Sequence, residues 1–420
     1  MKKNQSRFIT LSGCRTAKIL PAILAMALPM LTSQVQAGAA SIAEAITSGE
    51  AYADLRLRYE TVEQDNALED ATALTLRTRL GYSTGSYQGF SALVEFEDSR
   101  IVAGQDDFSV PPTGFNPGRY SVIADPETTE LDQAYLQYKN DFMKAKFGPQ
   151  VITLDNQRFV GHVGWRQDRV TYDAVSVQFT PIDKLKVTAA HIFERNRLLA
   201  EVGDQKSKDN LINIAYPTKL GKVAGYAYLL EDDFGQNAVR DTYGVRFSGA
   251  TKLADTKVLY TIEYADQSLE NDAGLDISTD YLFVEAGAVI AGVTAKLAYE
   301  KLGSDDGQSG FFTPLATVHK FNGWSDQFVL GTPAQGLVDI YASASTKLGP
   351  GKLTVVYHDF SADEDSPTVD DFGSEINIAY GMKFGKHYNA GIKYADYSAG
   401  DAATNKVDTE KVWFWVGLSI

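Results

Sequence analysis

Hydrophobic and polar residues alternate along much of the chain, and the pattern is clearest in the closing segment KVWFWVGLSI. Side chains two residues apart share one face of a strand, so one face of this segment carries Lys411, Trp413 and Trp415. A strand with one hydrocarbon face fits either a β-sandwich or the wall of a membrane barrel. That hydrocarbon face consists of Val412, Phe414, Val416, Leu418 and Ile420.

The same alternation, interrupted by glycine, proline, asparagine and aspartate, predicts about eighteen strands. A closed barrel with both chain ends in the periplasm needs an even number, and about sixteen is the alternative if a hairpin is miscounted. The predicted strands are residues 50–63, 72–85, 88–100, 129–139, 142–151, 169–180, 185–195, 209–217, 222–231, 241–249, 257–266, 279–289, 293–302, 337–347, 352–361, 373–384, 387–396 and 409–420.

The connections between these strands fall into two groups. Those after even-numbered strands are tight, as at Ser86-Tyr87 and Gly385-Lys386, whereas those after odd-numbered strands are long and polar. A sandwich has no reason to sort its loops in this way. The pattern therefore predicts an all-β fold, a transmembrane antiparallel β-barrel with short periplasmic turns and long extracellular loops. The long connections are predicted at residues 101–128, 152–168, 303–336, 362–372 and 397–408.

The N-terminal segment predicts export. An apolar run over residues 19–31 is followed by Val35-Gln36-Ala37, which fits a small-x-small cleavage pattern. We therefore expect residues 1–37 to be a signal peptide and residues 38–420 to be the barrel, located in the outer membrane of a Gram-negative bacterium. The basic residues that precede the apolar run are Lys2, Lys3, Arg7, Arg15 and Lys18.

Charge and cysteine content narrow the possible partners. Removal of the five N-terminal positive charges changes the formal net charge from −15 to −20, so we expect no nucleic-acid partner. The single cysteine, Cys14, lies ahead of the apolar run, so neither disulfides nor lipidation is expected in the processed chain. No uninterrupted apolar stretch long enough for a membrane helix follows residue 37. The expected partners are outer-membrane lipid, lipopolysaccharide and the barrel-insertion machinery.

Charged residues fall on the face opposite the hydrocarbon face in several predicted strands, so they are predicted to line the pore. Two compatible interpretations stay open: the charges pair with one another and stiffen the wall, or they bind and steer anionic groups of a solute. The predicted pore-lining residues are Arg56, Arg58, Arg77, Arg79, Glu95, Glu97, Lys144 and Lys146.

Two long loops carry enough polar and aromatic side chains to set the width of a pore. The segment PQVITLDNQRFVGHVGWRQD (residues 149–168) either enters the lumen as a constriction or stays outside, packed on its neighbours. The 303–336 segment either folds inward or caps the mouth. The constriction candidates of the first segment are Asn156, Gln157, Arg158, Trp165 and Arg166.

Catalytic and metal chemistry receive little support from the residue pattern. The acidic clusters at residues 305–306 and 363–365 lack the ligand spacing of a calcium loop, and we interpret them as solvated loop tips that contact lipopolysaccharide through divalent ions. The histidines are scattered without metal-ligand spacing. We expect no enzyme activity, no cofactor and no resident metal site. The histidines are His162, His191, His319, His358 and His387.

Seven segments carry a resemblance to a known family: residues 54–60 (DLRLRYE), 74–80 (LTLRTRL), 90–97, 124–138, 154–166 (LDNQRFVGHVGWR), 313–324 and 357–362. On these segments the chain resembles the alginate-export family of outer-membrane porins, in the broad group common in marine gamma-proteobacteria. The resemblance implies an eighteen-stranded barrel and a channel for solutes. Channels that export alginate are understood to have strongly basic bores, whereas this chain is acidic and sets Glu95 and Glu97 beside its arginines.

The leading functional hypothesis is a porin for passive diffusion of small hydrophilic, in particular anionic, solutes. One alternative is an export channel for an anionic polysaccharide such as alginate. Another is a plugged barrel that acts as a surface adhesin or a hydrolase. The sequence leaves open whether the barrel is a monomer or a homotrimer, and which solute it transports.

Overall fold

Eighteen antiparallel strands form one closed sheet in the computed structural model, which describes residues 38–232, 238–271 and 273–420. Each strand pairs with the next along the chain, and the last pairs with the first. The predicted barrel is therefore confirmed, with the predicted number of strands. The predicted signal peptide, residues 1–37, lies outside the described residues.

The strand bounds follow the predicted segments within a few residues at most ends. A short helix, α1 (Ile42–Thr47), precedes the barrel, and its N-cap Ser41 side chain accepts a hydrogen bond from the Glu44 backbone N–H. Among the described residues, no helix is long and apolar enough to cross a membrane. Short 3-10 helices lie at Ala200–Gly203, Val318–Lys320 and Ala402–Thr404. The strands are β1 (Glu50–Gln64), β2 (Ala71–Ser83), β3 (Phe90–Asp107), β4 (Thr128–Lys139), β5 (Met143–Gln150), β6 (Thr171–Phe179), β7 (Lys186–Asn196), β8 (Gln205–Pro217), β9 (Lys222–Asp232), β10 (Ala238–Leu253), β11 (Thr256–Glu270), β12 (Asp276–Ile290), β13 (Val293–Leu302), β14 (Leu337–Leu348), β15 (Gly351–Ser366), β16 (Val369–Phe384), β17 (Tyr388–Ser398) and β18 (Thr409–Ser419).

The segment KVWFWVGLSI forms the seam of the barrel. In the β1–β18 pairing Arg58 lies opposite Trp415, and the backbones of Ala53 and Ile420 exchange two hydrogen bonds of 2.9 Å. The predicted faces are confirmed: the Phe414 side chain is 47% exposed on the outside, whereas Trp413 is fully buried inside. Closure leaves no open sheet edge in the membrane.

Alternation of the outer and inner faces continues around the barrel. Leu57 and Phe96 are 41% and 54% exposed on the outer face, where lipid would cover them. Their neighbours on the inner face are charged and buried, for example Arg58 at 1% and Glu97 at 0% exposure. Burial of charge inside a barrel shows that something other than the wall fills the lumen at this level.

The longest loops follow the predicted sorting, whereas the connection at residues 65–70 is no longer than that at residues 84–89. Connections such as residues 291–292 and 349–350 are two residues long, whereas residues 108–127, 151–170 and 303–336 are long. The loop predicted at residues 362–372 is wrong, because β15 runs to Ser366 and β16 begins at Val369. Beyond the hydrocarbon both faces of a hairpin are wet, so pairing continues there without the alternation by which strands are recognised.

An apolar core lies inside the barrel, between the wall and the long loops. Phe159 of the 151–170 loop packs at 5.2 Å edge-on against Tyr281 of β12 and at 5.9 Å against Phe311 of the 303–336 loop. These rings are buried, so the two loops are attached to one side of the wall by hydrophobic contact. Their polar residues are left to face the rest of the lumen.

Candidate functional site

The loop of residues 151–170 crosses the lumen and is held against β1. The Arg56 guanidinium donates to the backbone carbonyls of Gly164, Trp165 and Arg166 at 3.2, 2.7 and 2.5 Å. Arg58 donates to the Trp165 carbonyl at 2.5 Å. The inward interpretation of this loop is therefore correct, and two of the predicted pore-lining arginines serve to fix it.

Three of the four arginines of β1 and β2 pair with carboxylates, whereas Arg56 donates to loop carbonyls and to the Gln167 side chain. Arg58 pairs with Asp125 of the 108–127 loop, and its guanidinium lies 3.3 Å from Glu60. Arg79 of β2 pairs with Glu97 of β3. Burial of an arginine is tolerated when its charge is paired in this way. The remaining pair joins Arg77 to Asp54.

Two arginines of the 151–170 loop connect it to the 303–336 loop and to the wall. Arg166 lies 3.0 Å from Glu60 of β1 and 3.0 Å from Asp326 of the second loop. Arg158 lies 2.8 Å from Glu300 of β13 and donates to the Asn322 side chain at 3.1 Å. Both loops are therefore inside the barrel, and charged hydrogen bonds hold them together.

All four tryptophans of the chain meet around one lysine of β17. The Lys393 ammonium nitrogen lies 3.9 Å from the ring centre of Trp324, 4.4 Å from that of Trp165 and 5.6 Å from that of Trp413. Trp415 completes the cluster, since it packs edge-on against Trp165 at 5.5 Å. Indole faces attract cations, so the rings contact the ammonium group through cation–π interactions.

His319 connects Lys393 to the Arg166–Asp326 ion pair, which joins the two loops. Its ring stacks on Trp165 at 4.9 Å, and its Nδ1 lies 2.6 Å from the Asp326 carboxylate. A carboxylate accepts, so Nδ1 carries the proton, and Nε2 accepts from Lys393 at 2.7 Å. Burial, opposed by Asp326, lowers the pKa of His319 to about 3, in keeping with a neutral ring.

The 151–170 and 303–336 loops together form a layer across the lumen, and a cavity lies on each side of this layer. The outer cavity, about 410 Å³, lies at the long-loop end beside Gln64 and Lys411, and the inner cavity, about 460 Å³, reaches Lys393. Val163 and His319 line both cavities, so these two buried residues lie between them.

Val163 adopts a backbone φ of 48°, a conformation that β-branched residues rarely adopt. Its N–H donates to the Thr317 hydroxyl at 2.8 Å, which ties the two loops together again. Backbone conformations of this kind persist where the surroundings enforce them, often at functional sites.

The five constriction candidates occupy different places in this layer. Gln157 and Trp165 line the inner cavity, and Arg166 lines the outer cavity. Arg158 is buried in its ion pair, while the Asn156 side chain accepts from the Arg158 backbone N–H at 3.2 Å. The five residues therefore line opposite sides of the loop layer or hold it together, and they do not form one ring around a pore.

The other predicted pore-lining residues stand apart from Val163 and His319. Glu95 and Glu97 are buried in contacts with arginines, Glu95 with Arg169. Lys144 and Lys146 belong to β5, where the Lys146 ammonium lies 3.8 Å from the ring centre of Tyr135. That any of the eight contacts a passing solute stays a prediction.

The sequence did not single out the caged lysine or its partners. Lys393 followed the alternation as an inward-facing lysine, Trp324 lay in a loop with two possible placements, and His319 looked like one of five scattered histidines. Four tryptophans in a long chain are weak evidence for a cluster, because no local sequence pattern predicts that they lie close together in the fold. The cluster depends on contacts between distant segments.

Three carboxyl groups meet behind the 151–170 loop. Oxygens of Glu97, Glu130 and Asp168 all lie within 4.8 Å of one another. Burial and the charges of Glu130 and Glu97 raise the pKa of Asp168 well above its ordinary value. A shared proton explains how these groups lie side by side.

A closed barrel of eighteen strands, narrowed by two inward loops, defines the class of outer-membrane porins. A family model described as alginate export matches residues 43–283, which is more than half of the chain. The protein belongs to the alginate-export family. No curated protein matches the chain.

Solved outer-membrane proteins share the fold at low sequence identity. OccAB1 of Acinetobacter baumannii is 11% identical, with a TM-score of 0.68 over 90% of this chain and 97% of that one. OpdL of Pseudomonas aeruginosa is 12% identical, with a TM-score of 0.68 over 89% and 99%. OpdK of the same organism, solved with vanillate, is 13% identical, with a TM-score of 0.68 over 88% and 98%.

Proposed function

We propose that the protein is a passive channel of the outer membrane for small hydrophilic solutes, with a preference for anions. The observation that carries the proposal is the pair of cavities inside the barrel that are separated only by the layer containing Val163 and His319. A solute would enter the outer cavity, pass between the two inward loops, and leave through the inner cavity. No catalytic step forms part of this function.

The preference for anions follows from the side chains that face the inner cavity. Lys320 and Lys393 line it, and no carboxylate is among its lining residues, all of which belong to the described part of the chain. The outer cavity adds Arg197 and Lys411 beside one acid, Asp326. Cations along a narrow path raise the local concentration of anions.

Export of an anionic polysaccharide such as alginate is the second candidate, favoured by the description of the matching family. A polyuronate chain would have to thread between the 151–170 and 303–336 loops, which Arg166 and Asp326 join at 3.0 Å. Small solutes need a narrower opening between the loops than a polymer chain does. We therefore place small-solute diffusion first.

Reconstitution in a planar bilayer tests the proposal. We expect discrete conductance steps in potassium chloride and a reversal potential, under a salt gradient, that indicates preference for chloride. Absence of steps from correctly folded protein would contradict a channel and favour the plugged barrel, either adhesin or hydrolase. Current blocked by polyuronate at low concentration would favour the export candidate. Contacts with lipopolysaccharide and the insertion machinery, and a monomeric or trimeric state, stay predictions.

A further inference from the structure

The apolar outer face of the barrel is short along β6. Its outward-facing apolar residues run from Val175 to Phe179, and the next outward position, Asp173, carries a carboxylate. At a rise of about 3.4 Å per residue this stretch is about 14 Å long, whereas that from Ile376 to Phe384 of β16 is about 27 Å long. The lipid-facing band of a membrane barrel is about 25 Å tall, so β6 covers only part of it.

The strands in this part of the wall also contain few residues. β5 and β6 have 8 and 9 residues, whereas β11 and β16 have 15 and 16. A strand needs about 9–11 residues to cross a bilayer, and here the chain leaves the wall for the lumen after Gln150. A wall that is too short for the bilayer is accommodated by local thinning, by side chains that reach the interface, or by association with another protein.

Polar side chains continue the gap in the apolar face on β7 and β8. Phe147 of β5 lies opposite Val175, and Val175 lies opposite His191 of β7. His191 in turn lies opposite Asn210 of β8, with its Nδ1 2.9 Å from the Asn210 side-chain oxygen. All four share the outer face, because Phe147 is 62% exposed there. Polar groups at membrane depth normally face protein or a water-filled cavity, which favours cover of this pair by protein over cover by lipid.

Opposite charges lie beyond this pair, towards the long loops. Glu194 of β7 and Lys206 of β8 lie opposite each other in the strand register, and the Lys206 side chain is exposed. A two-fold axis between β7 and β8 would bring Glu194 of one copy to Lys206 of another, and the reverse. A two-fold contact uses the same patch of both copies, so this charge pattern is complementary to itself.

The same patch contains a recess and a protruding side chain. Val177 and Ala189 lie opposite each other on the outer face of β6 and β7, and both are buried among their neighbours. Ile214 of β8 lies opposite Val187, two positions from Ala189, and is 45% exposed. A large side chain of one copy can therefore enter the recess of a second copy, as complementary packing at an interface requires.

We propose that the outer face of β6–β8 is the docking surface for a second copy of this chain, in a two-fold pair whose axis lies between β7 and β8. Glu194 of each copy pairs with Lys206 of the other, and Ile214 of each packs into the recess at Ala189. The contact covers His191 and replaces lipid where the apolar band is short. This inference concerns assembly and goes beyond the channel function, on which it does not depend.

Cysteine cross-linking in the outer membrane tests the docking surface. Ile214→Cys would carry the sole thiol of the chain once the predicted signal peptide is removed. A bifunctional thiol reagent should convert this variant to a product of twice the chain mass. Phe414→Cys is the matched control, because Phe414 is equally exposed on the outer face but belongs to β18. We expect it to stay at the mass of one chain.

Three outcomes of this experiment would overturn the proposal. Equal cross-linking of both variants would indicate random collision, and a product whose mass is not that of two chains would indicate another partner or another symmetry. Absence of a product from the folded Ile214→Cys variant would favour a locally thinned bilayer around β6. Heat-modifiable electrophoretic mobility checks that each variant is folded.

Exchange of the two charges tests the axis. Glu194→Lys and Lys206→Glu, each combined with Ile214→Cys, should each lose most of the cross-linked product, because like charges then face each other across the axis. Co-expression of the two, with different affinity tags, should restore a mixed product, since that pair is complementary again. Both residues face outward, so the conductance should stay unchanged. Undiminished product from either variant alone, or no mixed product on co-expression, would refute the two-fold contact.

Discussion

The two sides of the lumen handle positive charge in different ways. On the β1–β3 side, Arg58 and Arg79 are buried against Asp125 and Glu97. On the β17–β18 side, Lys393 is surrounded by indole rings and bonded to a neutral histidine. Arg58 holds a loop through its ion pair and Arg79 joins two strands of the wall, whereas, among the described residues, no ion pair joins Lys393 to a carboxylate.

Among the paired arginines, we expect substitution of Arg166 to have the largest effect. Its guanidinium pairs with Glu60 of the wall and with Asp326 of the 303–336 loop. Arg166→Met removes one cation from two buried carboxylates that Arg58 and Lys411 still contact at 3.3 Å each, so we expect it to cost less than the about 3–5 kcal/mol of an uncompensated buried charge. The strand ladder persists, so we expect a folded barrel with loosened loops and a larger, noisier conductance. Single-channel recording measures the change.

Arg119→Met serves as the control for that variant. Arg119 pairs with Glu69 at 3.3 Å on the exposed surface, where solvent screens the interaction. We expect its conductance and noise to match those of the wild type. Identical recordings from the Arg166 variant and this control would show that the buried pair does not hold the loops.

Trp165 contacts both sides of the lumen. Its ring centre lies 5.2 Å from the Arg58 guanidinium carbon and 4.4 Å from the Lys393 ammonium. Trp165→Ala should enlarge the conductance and weaken the preference for anions, because Lys393 loses one wall of its cage. A conductance equal to that of the wild type would place the solute path elsewhere.

The two histidines that line the inner cavity, His319 and His162, predict that the stability of the fold depends on pH. Burial lowers the pKa of His319 to about 3 and that of His162 to about 4, both below the ordinary value for histidine. The unfolded chain therefore binds protons first as pH falls, so these groups contribute stability above about pH 6.5 that is progressively lost toward pH 3.

Thermal unfolding between pH 7 and pH 4 measures this effect. We expect the melting temperature to fall over that range, and the fall to be smaller in His319→Gln and smaller again when His162→Gln is added. His387→Gln is the control, since His387 is exposed at a turn. Equal slopes in all variants would refute the role assigned to the two buried rings.

The barrel was predictable from the sequence because its signal is local. Alternation within single strands, as in β18, identifies the apolar face. The alternation of short and long connections indicates an even number of strands. The candidate site was not predictable in the same way. Arg158 meets Glu300 across 142 positions of sequence, and His319 meets Lys393 across 74. No local pattern specifies such pairs.

The 151–170 loop shows the same limit of prediction from local sequence. Its residue types pointed to a constriction, and Trp165 and Gln157 do line the inner cavity. Which of its arginines would be buried in ion pairs depended on carboxylates in β1 and β13 that only the closed barrel brings near. The residue types therefore indicated an inward loop but not which side chains line a cavity and which are buried in ion pairs.

A thiol at Val163, between the two cavities, tests the proposed solute path directly. Val163→Cys would carry the sole thiol of the chain after removal of the predicted signal peptide, since Cys14 lies in that segment. A small, negatively charged thiol-specific reagent added during a planar-bilayer recording should lower the chloride current in a single step that a reductant reverses. Complete modification by mass spectrometry with an unchanged current would contradict a solute path between the two loops.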